Sequence, residues 1–189
     1  MARRRRPAPA AQGGGGDEAE LARAARNGDR EAFGRLYELN AACVHGVLLA
    51  LVPREDARDL VQDVFLLALR SITRLDQPER FGPWVCAIAR NRARDLLKSR
   101  RASAELVEDP PAPSAADGAD EAEEARRVMV ELRALPEAYR ETLFLRLVEG
   151  LGGPEIARRT GLTPGSVRVN LCRGMKLLRQ RLERAEGRP

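Results

Sequence analysis

From Asp17 to about Val52, apolar side chains recur three and four positions apart: Phe33, Leu36, Tyr37, Val44, Val47, Leu48 and Leu51. That is the spacing of one face of an α-helix. The interruption Asn27-Gly28-Asp29 predicts a helix stop and a new N-cap, so the stretch is expected to be a helical pair. A third helix is expected over 53–70, where Ala57, Leu60, Val61, Val64, Phe65 and Ala68 form one apolar stripe. Its other face carries Asp59, Gln62, Asp63 and Leu66. Polar residues and Pro78 then break the pattern, and a fourth helix is predicted to open at Pro83, a proline suited to the first helical position. Its Trp84, Ile88 and Leu96 are expected to face a core, while Arg90, Arg94, Lys98 and Arg101 stack on another side as a basic stripe.

Residues 102–125 contain acidic side chains and prolines but no lysine or arginine, so their charge is opposite to that of their flanks. We expect a flexible acidic linker over 102–122. Residues 1–16 combine arginine, proline, alanine and four glycines, a composition unable to bury enough surface to offset its ordering entropy. They are expected to be disordered. Beyond the linker, helices are expected around Glu121–Ala134 and from Pro136 to about Glu149, closed by Gly150. No repeat and no β-alternation is visible, so the fold class is all-α. Two small helical domains are expected, 17–101 and 123–186, each with its own modest core.

The stretch EIARRTGLTPGSVRVNLCRG, residues 155–174, has the pattern of two short helices around a tight turn. The first can begin at Pro154, with Ile156 and small Ala157 inward, and Gly161 can supply a positive φ. Thr163 is a natural N-cap with Pro164 at the first position of the second helix. At 100° per residue, Val167, Leu171 and Leu178 share the buried side of that helix. Val169, Cys172, Arg173 and Lys176 lie roughly opposite, flanked by Ser166 and Arg168. A helix-turn-helix offers such an outer face to a DNA major groove. The Gly-Gly-Pro start of the first helix lacks a serine or threonine cap, which leaves that end less firmly fixed.

Composition narrows the function classes. The chain has 189 residues, a formal net charge of +5 and a pI near 9.7, largely from arginine, which fits an anionic partner. Its aromatic content is only 4%. Cys43, Cys86 and Cys172 lie far apart without a C-x-x-C pair, and His45 has no companion ligands, so no metal site, cofactor or disulfide framework is read. The cysteines are expected to act as small core hydrophobes. No catalytic dyad or nucleophile elbow is seen, which argues against an enzyme. The longest apolar run, 47–52, is far too short to span a bilayer, and the start of the chain lacks the apolar segment of a secretory signal. A cytoplasmic location is expected.

Three segments in order, DARDLVQDVFLLAL, FGPWVCAIARNRARDLLKSRR and LPEAYRETLFLRLVEGLGGPEIARRTGLTPGSVRVNLCRG, resemble bacterial RNA polymerase sigma factors of the extracytoplasmic-function group. The resemblance covers about 20–101 and 123–184. It implies a sigma region 2 that binds core polymerase at the β′ clamp helices through Asp56, Asp59, Gln62, Asp63 and Leu66. An acidic, amide-bearing face suits a basic protein surface better than DNA. It also implies that Arg90, Asn91, Arg94, Lys98 and Arg101 follow promoter DNA at the minus-10 element. The loop 72–82 would then pocket an extruded base, with Phe81 as its aromatic. The helix-turn-helix becomes region 4, which reads the minus-35 element through Ser166, Arg168, Val169, Asn170, Arg173 and Lys176 and meets the β flap. An anti-sigma factor is a further implied partner. The competing expectation is a stand-alone helix-turn-helix regulator, which would need a sensor or dimerisation half that the first 100 residues do not suggest.

Overall fold

The computed structural model describes residues 14–104 and 120–185. The expected basic tail, apart from its last residues, and most of the acidic linker lie outside the described residues. Those that are described form eight α-helices and no strand: α1 (Gly14–Arg26), α2 (Arg30–Leu49), α3 (Arg54–Ser71), α4 (Phe81–Ala104), α5 (Asp120–Arg133), α6 (Glu137–Leu147), α7 (Gly153–Thr160) and α8 (Pro164–Ala185). Two single 3-10 turns, Ile72–Arg74 and Pro78–Arg80, join α3 to α4.

Local chemistry sets these boundaries. Asp29 caps α2, its side chain accepting a hydrogen bond from the Ala32 amide at 3.0 Å, and Gly28 turns the chain at φ +94°. On α3, the six apolar residues of the expected stripe are the six that are buried. The fourth helix begins at Phe81, two residues before Pro83, because the Pro78–Arg80 turn feeds directly into it. Its buried side also differs from the one expected. Phe81, Val85, Cys86, Ala89 and Ala93 are fully buried, whereas Trp84, Ile88 and Leu96 are only partly covered at the margin. After Phe81 and Val85, that buried side carries only Cys86, Ala89 and Ala93, small residues that let neighbouring helices approach α4 closely.

The first domain packs α1–α4 around Leu36, Val44, Val47, Val64 and Phe81, and the second packs α5–α8 around Leu132, Leu143, Phe144, Ile156, Val167 and Leu178. The two domains do not stand apart. Helices α6 and α7 rest on α2 and α4, so the buried apolar side chains of both halves run into one continuous cluster rather than two separate small cores. Three glycines mark the closest approach. A Cβ on Gly46 would meet Glu149 Cγ and Leu145 Cδ2 at 2.8 Å, one on Gly82 would meet Arg159 Cα at 3.3 Å, and one on Gly161 would meet Pro83 Cβ at 3.3 Å. Glycine inside a helix costs about 0.5–1 kcal/mol relative to alanine. At Gly46, within α2, that cost is the condition for the second domain to sit where it does.

Candidate nucleic-acid interface

The helix-turn-helix forms as its residues dictate. α7 ends on Gly161 in the left-handed conformation at φ +77°, and Thr163 opens α8 by accepting a hydrogen bond from the Ser166 amide at 3.1 Å. Ile156, Ala157 and Val167 are buried where the helices cross, and Gly174 lies close under Leu143 and Tyr139. No side chain caps the start of α7, whose N-cap is Gly152. On the outer side of α8, Ser166, Arg168, Val169, Arg173 and Lys176 are exposed, with Asn170 half-buried beside them. Cys172 is exposed on this face too and contributes nothing to the core, unlike Cys43 and Cys86.

The α4 stripe has a different fate. Arg90 donates two hydrogen bonds to Glu141 of α6, Nε to Oε2 at 3.0 Å and Nη2 to Oε1 at 2.6 Å, and the two side chains are only 20% and 10% exposed. This forked pair is the strong geometry for an arginine and a carboxylate. The hydrogen bond to Glu141 holds the Arg90 guanidinium above its ordinary pKa despite burial. Arg94 reaches Glu137 at 3.2 Å across solvent, whereas Asn91, Lys98 and Arg101 are exposed. Half of the stripe therefore faces the second domain.

Phe81 is not where an extruded base could meet it. It is fully buried, edge-on to Phe33 with ring centroids 6.4 Å apart and tilted against Trp84 at 5.8 Å. Starting α4 at Phe81 turns its side chain into the core. The aromatic beside the loop is Trp84, half-buried, which lines an open cavity of about 330 Å³ with Arg74, Leu75, Asp76, Gln77, Arg80 and Pro83.

On α3, Asp59, Gln62, Asp63 and Leu66 share an exposed face, Leu66 with 52% of its surface open. Asp56 lies at its edge, half-buried, receiving both Nη1 and Nη2 of Arg100 at 2.6 Å, and Asp63 receives Arg92 at 3.0 Å. Helix α4 thus braces the acidic face from behind.

A polar cluster joins the two domains. Asn40, fully buried on α2, donates to Glu18 Oε1 and to the Leu36 carbonyl, both at 2.9 Å, and accepts from Arg159 Nη1 of α7 at 2.6 Å. Glu18 of α1 also accepts from Arg158, and both arginines bond Glu155. Burial pushes the Glu155 carboxyl up, but these hydrogen bonds outweigh it and hold it below the ordinary glutamate value. His45 Nδ1 lies 2.7 Å from Glu149 Oε1, across the same boundary. Between α2 and α4, the Cys43 and Cys86 sulfurs sit 3.4 Å apart, and their hydrogen bond together with burial pushes the Cys43 thiol well up. A thiol buried in this way acts as a small core hydrophobe.

Comparison with known proteins fixes what this arrangement is. The Sigma-70 region 2 model matches residues 36–103 and the Sigma-70, region 4 model matches residues 125–178. The RNA polymerase sigma factor CarQ of Myxococcus xanthus is 35% identical over 165 residues, covering 85% of this chain and 95% of that protein. NccH of Alcaligenes xylosoxydans, also an RNA polymerase sigma factor, is 31% identical over 182 residues, covering 90% of this chain and 96% of that one. The chain belongs to the extracytoplasmic-function group of RNA polymerase sigma factors. A solved structure of CnrH in complex with the cytosolic domain of CnrY is similar at 28% identity and a TM-score of 0.61, covering 88% of this chain and 97% of that chain. The sigma factor RpoE of Bartonella quintana, solved with the anti-sigma factor NepR, shares the fold at 18% identity and a TM-score of 0.60, covering 81% of this chain and 98% of that chain.

In this sigma factor the structure brings the α8 residues onto one open face and the α3 residues onto another, and it divides the α4 stripe. Sequence reasoning missed Glu18, Asn40, Glu141, Glu149, Arg158 and Arg159. One signal was available: Asn40 interrupts the apolar run Leu36, Val44, Val47 at helical spacing, and a polar residue on a core-facing stripe needs a buried partner.

Proposed function

We propose that this sigma factor binds core RNA polymerase and directs promoter-specific initiation, with region 2 spanning 17–101 and region 4 spanning 123–186. The observation that carries this reading is the presence in one chain of two unlike exposed faces. The α3 face is acidic, amide-bearing and leucine-bearing, whereas the α8 face presents Arg168, Arg173 and Lys176 around Val169. Carboxylates with an exposed leucine suit a basic protein surface such as the β′ clamp helices. Arginines on the outer side of a helix-turn-helix suit guanine edges and phosphates of the minus-35 element. Region 4 would also contact the β flap.

Within region 2, Asn91, Arg94, Lys98 and Arg101, joined by Arg90 once it is released, follow the minus-10 backbone. The cavity at 74–84 receives the extruded base, with Trp84 rather than Phe81 as its aromatic wall. The role is one of recognition, with no chemistry of its own and no cofactor. Among the described residues no helix is long and apolar enough to cross a membrane, and we place the protein in the cytoplasm, where polymerase is. An anti-sigma factor is a further partner, since RpoE of similar fold was solved with one. A stand-alone regulator is not favoured, because the α3 face would then have no use.

Charge reversal by Asp59→Arg with Asp63→Arg tests the reading. Circular dichroism should be unchanged, while copurification with core polymerase and promoter-directed transcription should both be lost. Undiminished copurification would place the polymerase contact elsewhere.

A further inference from the structure

Helix α4 carries arginines on two sides, and only one side is the stripe. At 100° per residue Arg92 and Arg100 fall away from Arg90, Arg94, Lys98 and Arg101, on the side of the buried Ala89 and Ala93. They pair with α3. Arg100 donates from Nη1 and Nη2 to the two carboxylate oxygens of Asp56, each at 2.6 Å, and Arg92 Nη2 donates to Asp63 Oδ2 at 3.0 Å. The two arginines are about two helical turns apart, as are the two aspartates in reverse order, so antiparallel α3 and α4 are tied at two rungs.

The same projection divides the acidic face of α3. Asp56 and Asp63 lie along the edge tied to α4, and Asp59, Gln62 and Leu66 lie on the open part beyond them. Asp56 is mostly covered and has both oxygens engaged, which leaves its carboxylate little to offer a partner protein. Asp63 gives Arg92 only Oδ2. The start of α3 has no side-chain cap, so the forked grip on Asp56, in its first turn, secures an end that is otherwise loosely held. Arg92 Nε is buried and makes no hydrogen bond among the described residues, so this guanidinium is drawn in against the fold rather than left in solvent.

We propose that Arg92 and Arg100, although they stand in the basic helix, are positioning residues for the polymerase-binding face and not DNA contacts. Arg92 fixes the Asp63 carboxylate by one oxygen and leaves Oδ1 for a basic group of the polymerase. Arg100 clamps Asp56 and thereby sets the angle at which Asp59, Gln62 and Leu66 are presented. The inference rests on the polymerase-binding reading of α3. Charge alone would send both arginines to DNA beside Lys98, but an arginine in a forked pair must leave its carboxylate before it can take a phosphate. One helix thus serves two surfaces, with its stripe turned to the promoter and its other arginines to α3.

The test uses the full chain as Arg92→Ala, Arg100→Ala, Arg100→Asp, Lys98→Ala and the double swap Asp56→Arg with Arg100→Asp, with Asp59→Arg as the control for the face. Core polymerase is titrated at a temperature where circular dichroism shows each variant folded, so a role in stability alone would leave the affinity unchanged. Core affinity should fall about fivefold in Arg92→Ala and Arg100→Ala. It should fall further in Arg100→Asp and return to within about twofold of the parent in the double swap. Promoter binding by the holoenzyme at saturating core should keep the parent's salt dependence in both arginine-to-alanine variants. Lys98→Ala should instead lower the log–log slope by about 0.9, the signature of one lost phosphate contact. A lowered slope in Arg92→Ala or Arg100→Ala makes that arginine a DNA contact and overturns its positioning role, as does unchanged core affinity. A folded double swap that binds core no better than Arg100→Asp overturns the clamp. If Asp59→Arg binds core as the parent does, the reading of α3 fails and the inference with it. Loss in Asp59→Arg with parent-like affinity in both alanine variants removes this inference alone.

Discussion

Helices α4 and α8 carry the same chemistry, a row of arginine and lysine at helical spacing, and meet opposite circumstances. On α8, Arg168, Arg173 and Lys176 look outward from a helix whose other side is committed to Leu143, Ile156 and the region 4 core. On α4, the N-terminal half of the row is taken up by Glu137 and Glu141, and only Lys98 and Arg101 remain unobstructed. The difference teaches that a basic stripe states a capacity, while the neighbouring domain decides its availability. An arginine in a forked, largely buried pair must give up a carboxylate before it can hold a phosphate.

The largest effect is expected at Glu141. Removing one partner of a buried ion pair costs about 3–5 kcal/mol, and Glu141→Ala should fall at the low end because opening the domains lets water reach Arg90. We expect a single calorimetric transition in the parent chain to separate into two, one for each domain, in the variant. An unchanged single transition would mean that the docking does not depend on this pair.

A smaller effect is expected on the open helix. A bidentate arginine–guanine contact discriminates by about 1–3 kcal/mol. Arg168→Ala or Arg173→Ala should relax preference at one minus-35 base if that residue reads a base, and weaken all promoters alike if it holds a phosphate. Competition binding of the polymerase holoenzyme on a panel of single-base promoter variants distinguishes the two. Indifference to both substitutions would move the reading face elsewhere on α8.

The smallest effect belongs to the exposed pair Arg94–Glu137, both about half open to solvent. Such pairs contribute roughly 0–1 kcal/mol and are screened by salt. Glu137→Ala should change the unfolding profile barely, and not at all at high salt. A loss comparable to that of Glu141→Ala would show that the docking of the two domains is held by the whole acidic edge of α6.

Much of this architecture is legible in the sequence because it is local. Asp29, Gly161 and Thr163 act within four residues of where they stand, and the α3 stripe repeats at a period that only one helix face can satisfy. The start of α4 was less legible, since Pro83 is a good first helical residue and nothing in the sequence favours Phe81 over it. That shift of two residues moved Phe81 from the expected base pocket into the core. The docking of the domains was not legible at all in the charge pattern. Arg90 and Lys98 look alike on a helical projection, and what separates them is a carboxylate 51 residues from Arg90. Long-range pairs leave no period in the chain. Only Asn40, a buried amide on an apolar stripe, pointed to a partner from outside its own helix.

Footprinting at moderate salt, on a promoter taken from transcripts induced by this factor, tests the central claim most directly. Two small reading domains joined by a linker are expected to bind promoter weakly alone, since extruding a minus-10 base costs a few kcal/mol and aromatic side chains to offset it are scarce. Protection of both the minus-10 and minus-35 elements should appear only when core polymerase is present. Strong, sequence-specific protection by the protein alone, centred on a palindrome, would contradict the account and identify a self-sufficient regulator.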